Sequence, residues 1–534
     1  MYADLVFLNG QVITMAPDQP QAEAVAVSGG RIGLIGSTEL VRTEVGRATQ
    51  VIDLAGQTLL PGFNDAHLHM LIYGQTKLLW LNCRPEVVSH LDDILAMVKA
   101  ETTRREPGQW IRGRGYNDLT LPPNNAITRR DLDRVAPDHP VCLTRLGGHV
   151  IVGNSYALNL AGITRDTPDP PGGKIDREPG GEPTGVLRET AQPLLYDIIP
   201  PPTPAETKAC LLRAAADYLA AGITSVQNAG SVAADLQAFQ ELALNDELPL
   251  RVSLMVKQPV LDSLIEAGLK TGFGNDRLKL GPLKIFLDGG ILARTAAQHQ
   301  PYQNDPDNRG ILWMEQEELN QLVERAHRAG FQIATHAIGD RAIESILDAY
   351  ERALRKWPAR NHRHRIEHCE LITGCLLDRI VDLDVLPVPQ PIFLREGGDG
   401  YIKNLGEERA HKLLPLRRML DAGLPLSGSS DSPVSAYNPL QGIETAVTRR
   451  IWDGRKIGPG QEVTVAEALR MYTRGGAYAS FEENQKGTIE TGKLADFVVL
   501  DRNPLTTPPD ELASIGVTMT VLGGKIAYQG DAAR

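Results

Sequence analysis

The sequence predicts an α/β protein built around a (β/α)8 TIM-like barrel. Eight short apolar segments of β character lie between residues 58 and 429, and helical patterns separate most of them. Strand–helix alternation of this kind is typical of such a barrel, in which functional groups gather at the carboxyl ends of the strands. β-rich runs at both ends of the chain add a composite β-sandwich, and a long gap after the first strand adds an insertion.

Both ends of the chain alternate short β-rich runs with glycine turns. Residues 1–60 contain the turns Asn9-Gly10 and Gly29-Gly30, and residues 486–534 contain Gly523-Gly524. Each end is too short to bury much apolar surface by itself. We therefore expect one β-sandwich domain made from residues 1–60 and 486–534, which would bring the two ends of the chain together.

The predicted barrel occupies residues 61–485, and its strands are expected in the apolar segments. In chain order these segments are Thr58–Phe63, Thr224–Asn228, Arg251–Val256, Leu280–Leu287, Gln332–Ala337, Arg365–Cys369, Val385–Ile392 and Pro425–Ser429. Helical periodicity over Gln316–Gly330, Asp340–Lys356 and Glu407–Gly423 separates several of them.

Residues 71–205 lie between the first two predicted strands and are too many for a simple connection, since βα loops normally span only a few residues. We interpret them as an inserted cap that leaves the barrel beside the first strand and covers the site. A decoration remote from the site is the alternative.

Composition and charge narrow the class of protein. The 534 residues are 42% hydrophobic and 23% charged, with a net charge of -11 and no cluster of lysine and arginine. This mix is typical of a soluble globular protein and predicts binding neither to nucleic acid nor to a membrane surface. Five sparse cysteines and an N-terminus without a signal-peptide pattern predict a cytoplasmic protein with reduced thiols. A homodimer is left open.

Histidines and one carboxylate recur at the predicted strand ends. His67 and His69 are two positions apart, which places both side chains on one face of a strand. His336 and His368 end the fifth and sixth strands, and Asp431 follows the eighth. Each residue alone is more often structural, but together they form a donor set that suits Zn2+ and similar ions. The sequence therefore predicts a site for one or two divalent metal ions, most simply zinc.

Further candidates lie around these donors. His149, in the insertion, could reach into the site as a catalytic group or could be structural. Aromatic residues near strand ends and in the insertion suggest a substrate with an apolar or aromatic group, although each of them could simply belong to the hydrophobic core. Arg294 could bind a substrate carboxylate or could brace a loop. The candidate substrate-binding residues are Phe63, Tyr116, Phe286, Arg294 and Phe393.

The chain resembles the amidohydrolase superfamily, in particular amidohydrolase family 3 and its N-substituted formamide deformylase-like branch. The resemblance covers nearly the whole chain. It rests on Pro61-Gly-Phe-Asn-Asp-Ala-His-Leu-His69, Lys284-Ile-Phe-Leu-Asp-Gly289, His336-Ala-Ile-Gly-Asp340, Arg365-Ile-Glu-His368, Ser430-Asp-Ser-Pro433 and Lys486-Gly-Thr-Ile-Glu-Thr-Gly-Lys-Leu-Ala-Asp-Phe-Val-Val-Leu500.

The resemblance implies a metal-dependent hydrolase that uses activated water to cleave a non-peptide carbon–nitrogen bond in a small-molecule amide or formamide. It implies that His67, His69 and Asp431 bind one metal ion, and that His336 and His368 bind a second.

Two further roles follow from the resemblance. Lys284 would bridge the two ions as a carboxylated lysine; a plain lysine paired with a carboxylate such as Asp288 is the alternative. Asp431 would move the proton from water to the leaving nitrogen, while His149 is a candidate donor to the carbonyl oxygen.

Two other interpretations remain. A deaminase of the same superfamily acting on a cyclic amidine is disfavoured, because His336 is followed by Ala-Ile-Gly and not by a nearby glutamate. A non-catalytic scaffold on the same fold would be expected to have lost metal ligands, whereas this chain keeps the full set.

Overall fold

The computed structural model describes residues 2–117 and 127–530. Within these ranges a seven-stranded parallel sheet forms the central barrel, sheets of four and six strands form a sandwich, and a further six-stranded sheet lies in the insertion. The predicted α/β class with a TIM-like barrel is confirmed. In the same ranges, no helix combines the length and apolar character needed to cross a membrane.

The N-terminal part supplies short strands and one helix to the sandwich. They are β1 (Leu5–Leu8), β2 (Gln11–Ile13), β3 (Gln21–Ala22), β4 (Ala24–Ser28), β5 (Arg31–Gly36), α1 (Thr38–Arg42), β6 (Gln50–Asp53) and β7 (Thr58–Pro61). One sheet has the order β5-β4-β1-β6. Gly29 and Gly30 turn the chain between β4 and β5 with positive φ angles of 58° and 74°, which favour glycine.

The first barrel strand, β8 (Phe63–Leu68), begins later than the sequence predicts. The predicted segment Thr58–Phe63 is divided, because β7 pairs within the sandwich and the chain enters the barrel only at Phe63. The change of sheet falls at Gly62, where a Cβ atom would lie 2.3 Å from the Thr224 side chain. An apolar run shared by two sheets looks like one strand in the sequence.

α2 (Met70–Leu78) follows β8 and leads into the insertion. The elements of the insertion are β9 (Leu81–Asn82), α3 (Leu91–Thr102), β10 (Ile111–Tyr116), α4 (Arg129–Asp133), β11 (Val141–Arg145), β12 (Val150–Gly153), α5 (Ser155–Leu160), β13 (Gly173–Arg177), β14 (Pro183–Glu189) and α6 (Pro193–Tyr196). Their sheet has the order β13-β14-β12-β11-β10-β9. Its two faces carry separate apolar clusters, so the insertion has its own core.

The rest of the barrel alternates strands and helices. These elements are α7 (Pro204–Ala220), β15 (Ile223–Ser231), α8 (Ala233–Leu244), β16 (Arg251–Lys257), α9 (Gln258–Glu266), β17 (Leu278–Phe286), α10 (Gln316–Arg328), β18 (Ile333–Ala337), α11 (Asp340–Lys356), β19 (Arg365–His368), α12 (Gly374–Asp382), β20 (Leu386–Val388), α13 (Ile392–Leu405), α14 (Glu407–Ala410), α15 (Leu416–Asp421) and α16 (Pro439–Thr448). The sheet order is β20-β19-β18-β17-β16-β15-β8.

The predicted eighth strand, Pro425–Ser429, is not a regular strand. Irregular hydrogen bonds close the barrel there: Ala66 N donates to Gly428 O at 3.2 Å, and Gln390 Nε2 donates to Ser429 Oγ at 2.8 Å. The predicted helix Glu407–Gly423 is also divided into α14 and α15.

The C-terminal part returns to the sandwich. Its elements are α17 (Val465–Arg470), a π-helical turn (Met471–Gly475), α18 (Gly476–Ala479), β21 (Phe497–Leu500), a 3-10 helix (Pro509–Ser514), β22 (Val517–Leu522) and β23 (Lys525–Gln529). The second sandwich sheet has the order β23-β22-β21-β7-β2-β3 and so combines strands from both ends of the chain. Phe7 and Phe497 meet edge to face between the sheets, with ring centroids 5.7 Å apart.

Candidate metal centre

The predicted metal donors meet at the carboxyl-terminal end of the barrel. His67 lies in β8, His69 directly follows it, His336 lies in β18, and His368 ends β19. Asp431 follows the irregular closing segment and donates its backbone N–H to His67 O at 2.7 Å. His368 and Asp431 have positive φ angles of 71° and 56°, which non-glycine residues rarely adopt. Backbone strain of this kind is often found at functional sites.

His67, His69 and Asp431 form the tightest group of donors. One ligand atom from each lies within 4.8 Å of the other two. Asp431 Oδ1 is 3.1 Å from His69 Nε2 and 3.4 Å from His67 Nε2. All three side chains are mostly buried, so solvent screens these close contacts only weakly.

In His67 and His69, the hydrogen bond made by Nδ1 determines whether Nε2 can bind a metal ion. His69 Nδ1 lies 3.0 Å from the carbonyl oxygen of Ala229, and His67 Nδ1 contacts the carboxylate of Glu367. Both partners only accept hydrogen bonds, so each Nδ1 carries the proton and each neutral Nε2 presents a lone pair. Those lone pairs face Asp431 Oδ1, which is buried and accepts no hydrogen bond. Acceptors that face one another repel unless a proton or a metal cation lies between them, and a divalent ion fits because both rings and the carboxylate can ligate it together.

His368 and His336 supply a second pair of donors beside this group. Their ring centroids are 4.4 Å apart, and that of His368 is 5.0 Å from the ring of His67. His368 Nδ1 is held by Gln390 Oε1 at 2.6 Å, and His336 Nε2 lies 3.3 Å from Gly289 O. Each ring thus uses one nitrogen for orientation and keeps the other as a ligand, as metal-binding histidines commonly do.

Burial keeps these rings in the form that binds metal. It lowers the pKa of His368 to about 4 and the pKa values of His67 and His336 far below the usual range. The site therefore combines neutral imidazoles at His67, His336 and His368 with a carboxylate, and both kinds of group can ligate a cation.

Lys284, on β17, points into the same group. Its Nζ lies 3.5 Å from His67 Nε2 and 4.7 Å from the centroid of the Phe286 ring. Burial lowers the pKa of Lys284 to about 8. The alternative pairing with Asp288 is not found among the described residues, because the Asp288 carboxylate accepts backbone N–H groups from Ala297, Ile338 and Gly339.

His149 reaches the site from the insertion. Its ring centroid is 5.1 Å from that of His336. Its Nδ1 lies 2.8 Å from Glu189 Oε2, which also accepts a hydrogen bond from Trp313 Nε1 at 3.1 Å. Burial acts to lower the pKa of His149, but the Glu189 carboxylate raises it above the usual value. A second proton on the ring would make Nε2 a donor directed at the site.

Two cavities adjoin the metal donors. The larger holds about 640 Å³ and is lined by both barrel and insertion residues, including His69, His149 and Phe286. Phe286 stacks on Trp313 with ring centroids 5.4 Å apart. The smaller holds about 80 Å³ and is lined by Phe393, which stacks on His368 at 5.9 Å.

Three of the predicted substrate-binding residues do not line either of these two cavities. Phe63 is fully buried in the barrel core, at the amino end of β8, and Tyr116 is buried in the core of the insertion. Arg294 forms an ion pair with Asp305 at 3.2 Å, so it braces its own loop. Position near a predicted strand end did not separate Phe63 from Phe286 and Phe393, because it does not show which way a side chain points.

Sequence reasoning missed several residues that line the larger cavity. Glu189 and Trp313 hold His149, and they carry no local sequence signal. Arg112 and Arg114 alternate along β10 and so share one face of the strand, a pattern visible in the segment Trp110-Ile-Arg-Gly-Arg-Gly-Tyr116. That alternation was the available signal for a pair of cavity-facing arginines.

The fold agrees with comparisons with known proteins. A sequence model of the amidohydrolase family matches residues 50–528. The chain belongs to the amidohydrolase family, and the resemblance inferred from its motifs is confirmed.

Relatives match over nearly the full length. The chain is 33% identical over 534 residues to YtcJ of Bacillus subtilis, whose name assigns it provisionally to the amidohydrolases, covering 98% of this chain and 99% of that protein. It is 32% identical over 539 residues to the N-substituted formamide deformylase of Arthrobacter pascens, covering 98% of each. A solved structure of an uncharacterized metal-dependent hydrolase from Pyrococcus horikoshii aligns with a TM-score of 0.78 at 28% identity, covering 95% of this chain and 99% of that one.

Proposed function

We propose that this protein is a metal-dependent hydrolase that cleaves a non-peptide carbon–nitrogen bond of an amide or formamide. One observation carries the proposal: the lone pairs of His67 and His69 face the unpartnered carboxylate oxygen of Asp431 at 3.4 and 3.1 Å. That arrangement needs a proton or a metal cation between the acceptors, and a divalent ion satisfies all three groups at once. Zinc is the simplest choice for imidazole and carboxylate ligands.

In this proposal His67, His69 and Asp431 hold one ion, and His336 and His368 hold a second. Lys284 would be a further ligand after carboxylation, which its lowered pKa favours because the neutral amine is the form that reacts with carbon dioxide. A divalent ion held by these residues would supply Lewis acidity, which activates water as a nucleophile near neutral pH.

Asp431 acts as both base and acid. The oxygen of its carboxylate accepts a proton from the attacking water and returns it to the leaving nitrogen, so that an amine departs. His149 donates a hydrogen bond from Nε2 to the carbonyl oxygen as negative charge develops there, while Glu189 orients the ring through Nδ1. The insertion, as the source of His149, acts as a cap over the reaction.

The deaminase alternative receives no support from the residues after His336. Ala337, Ile338 and Gly339 carry no carboxylate, so this stretch supplies no proton shuttle to a ring nitrogen. The scaffold alternative is disfavoured because four buried or mostly buried imidazoles cluster together and two of them contact one carboxylate. The similarity to an N-substituted formamide deformylase supports N-substituted formamides as the first substrates to test.

The experiment is a substrate screen on protein of known metal content. Zinc-loaded protein is assayed with N-formyl, N-acetyl and longer N-acyl amines, with cyclic amides, and with cyclic amidines, and product amine or ammonia is quantified. Release of amine from the acyclic substrates is expected. Release of ammonia from a cyclic amidine, with no amide cleaved, would favour the deaminase and contradict the proposal.

His67→Ala serves as the matched negative control. It removes one ligand and should abolish activity together with stoichiometric zinc binding. His90→Ala is the matched neutral control, because His90 is an exposed histidine remote from the cavities, and both activity and zinc content should be retained.

A further inference from the structure

Two arginines on the wall of the larger cavity have no carboxylate partner within residues 2–117 and 127–530. Arg112 and Arg114 lie two positions apart on β10, in the insertion, and both line the cavity that contains the metal donors. Among the residues that the structure describes, neither forms an ion pair. Arg114 is only 7% exposed, so its charge is shielded from solvent as well.

The contacts of Arg114 are too few for a buried guanidinium. One amino group lies 3.5 Å from Leu146 O, at the limit of a hydrogen bond, and the buried Nε finds no partner in the described part of the chain. Burial and the neighbouring charges of Arg84 and Arg112 lower the pKa of Arg114. A buried, unpaired cation destabilises a folded protein, and an anionic group carried by a ligand would supply the missing partner.

Arg112 is positioned beside it by aromatic rings. Its guanidinium lies 4.1 Å from the centroid of the Trp80 ring and 5.6 Å from that of Tyr196. Stacking holds the planar group in place and leaves its N–H edge available. The two arginines therefore present several fixed donors and two positive charges to one region of the cavity.

We propose that Arg112 and Arg114 bind a carboxylate carried by the substrate. This inference rests on the proposed function and deepens it: the preferred substrates are N-formyl or N-acyl amines that also bear a carboxylate, such as N-acylated amino acids. A guanidinium matches a carboxylate through two parallel hydrogen bonds. Because the arginines and the metal donors line the same cavity, a bound carboxylate would anchor one end of the substrate while its amide lies at the metal site.

The first test compares two substrates that differ only in charge. One is an N-formyl amino acid, and the other is the same molecule with its carboxylate replaced by a carboxamide. Wild-type kcat/KM is expected to favour the carboxylate by about 10²-fold or more, because the neutral amide leaves the arginines unpaired. Arg114→Met keeps an unbranched, flexible side chain but removes the guanidinium and its charge, so this preference should collapse, with most of the loss on the carboxylate substrate.

Arg130→Met is the matched control. Arg130 lies in α4 of the same insertion, is exposed, and pairs with Glu178 at 2.7 Å, away from the cavity. This variant should keep the wild-type preference. The melting temperature of Arg114→Met should be unchanged or higher than that of the wild type, because an unpaired buried charge has been removed. If Arg114 had only a structural role, Arg114→Met would lower the melting temperature and would reduce kcat/KM equally for both substrates.

A binding measurement separates this inference from the proposed reaction. Calorimetric titration of zinc-loaded protein with hexanoate, hexyl phosphate and hexanamide should show that hexanoate binds best, and that Arg114→Met weakens it about tenfold or more. Tighter binding of hexyl phosphate would overturn the carboxylate assignment in favour of phosphate. If hexanoate binding depends on Arg114 but the protein hydrolyses no amide, the proposed function is contradicted and the carboxylate inference stands.

Efficient hydrolysis without any preference for the carboxylate would overturn this inference and leave the proposed function intact. The wild-type comparison of the two substrates also decides the question if Arg114→Met does not fold.

Discussion

Replacement of Asp431 by asparagine separates the proton-transfer role of this residue from its role in folding. The position has a φ angle of 56°, and asparagine is one of the few residues that adopt this left-handed conformation readily. The backbone bonds from Asp431 N to His67 O at 2.7 Å and from Val434 N to Asp431 O at 2.8 Å do not involve the side chain. Asp431→Asn should therefore fold without added backbone strain.

The same contacts set the expected size of the effect. In the wild type a carboxylate oxygen of Asp431 lies 3.1 Å from His69 Nε2. In the variant an amide N–H can take this place and donate to the lone pair of His69 Nε2. The metal-free protein should therefore lose no stability. The amide cannot accept the proton of the attacking water. Loss of a general acid–base group typically lowers turnover by about 10²- to 10⁴-fold. This corresponds to about 2.7 to 5.4 kcal/mol of activation free energy, at about 1.36 kcal/mol per factor of ten.

The assay measures kcat and zinc content on the same sample, because loss of one ligand charge also weakens metal binding. Turnover per bound zinc should fall by about 10²-fold or more, while the melting temperature of the metal-free variant stays at the wild-type value. Near-normal turnover per zinc would refute the reasoning and move the proton transfer to another group, with His149 the next candidate. Asp305→Asn, at a partly buried loop position paired with Arg294, is the matched control and should remain fully active.

Three further predictions concern the metal and stability. Chelation followed by dialysis should abolish activity, and added Zn2+ should restore it; full activity in protein shown to be metal-free would contradict the mechanism. Asp496→Ala should lower the free energy of unfolding, measured in urea, by about 3–5 kcal/mol, because it removes the carboxylate that pairs with the buried Arg251. In the wild type Arg251 Nε lies 2.5 Å from Asp496 Oδ2. A change below about 1 kcal/mol, the usual contribution of an exposed ion pair, would show that this pair is dispensable. Burial lowers the pKa values of His362 and His364 in the folded state. Below about pH 6.5 the unfolded chain therefore binds protons at these residues that the folded protein does not bind. The free energy of unfolding should fall as the pH drops below that value. His362→Gln should make the urea midpoint less dependent on pH between 7.5 and 5.5, and an unchanged dependence would contradict this assignment.

The donors of the site were predictable because each follows a local pattern. His67 and His69 end an apolar run, and His336, His368 and Asp431 follow strand-like segments separated by helical periodicity. Parallel strands deliver their carboxyl ends to one edge of a barrel, so spacing in the sequence could be converted into proximity in space. The same rule failed for the eighth segment, where irregular hydrogen bonds close the barrel without a regular strand.

Side-chain direction and contacts between distant segments needed the tertiary structure. Phe63 and Phe286 both lie on barrel strands, yet only Phe286 faces the cavity, because the chain changes sheets at Gly62 and places Phe63 at the other end of the barrel. The partnership of His149 with Glu189 and Trp313 joins three separate parts of the chain. Arg114 has no local feature that shows it to be both buried and unpaired. Local periodicity reports which face of an element a residue occupies, whereas burial and pairing depend on which distant segments pack against that face.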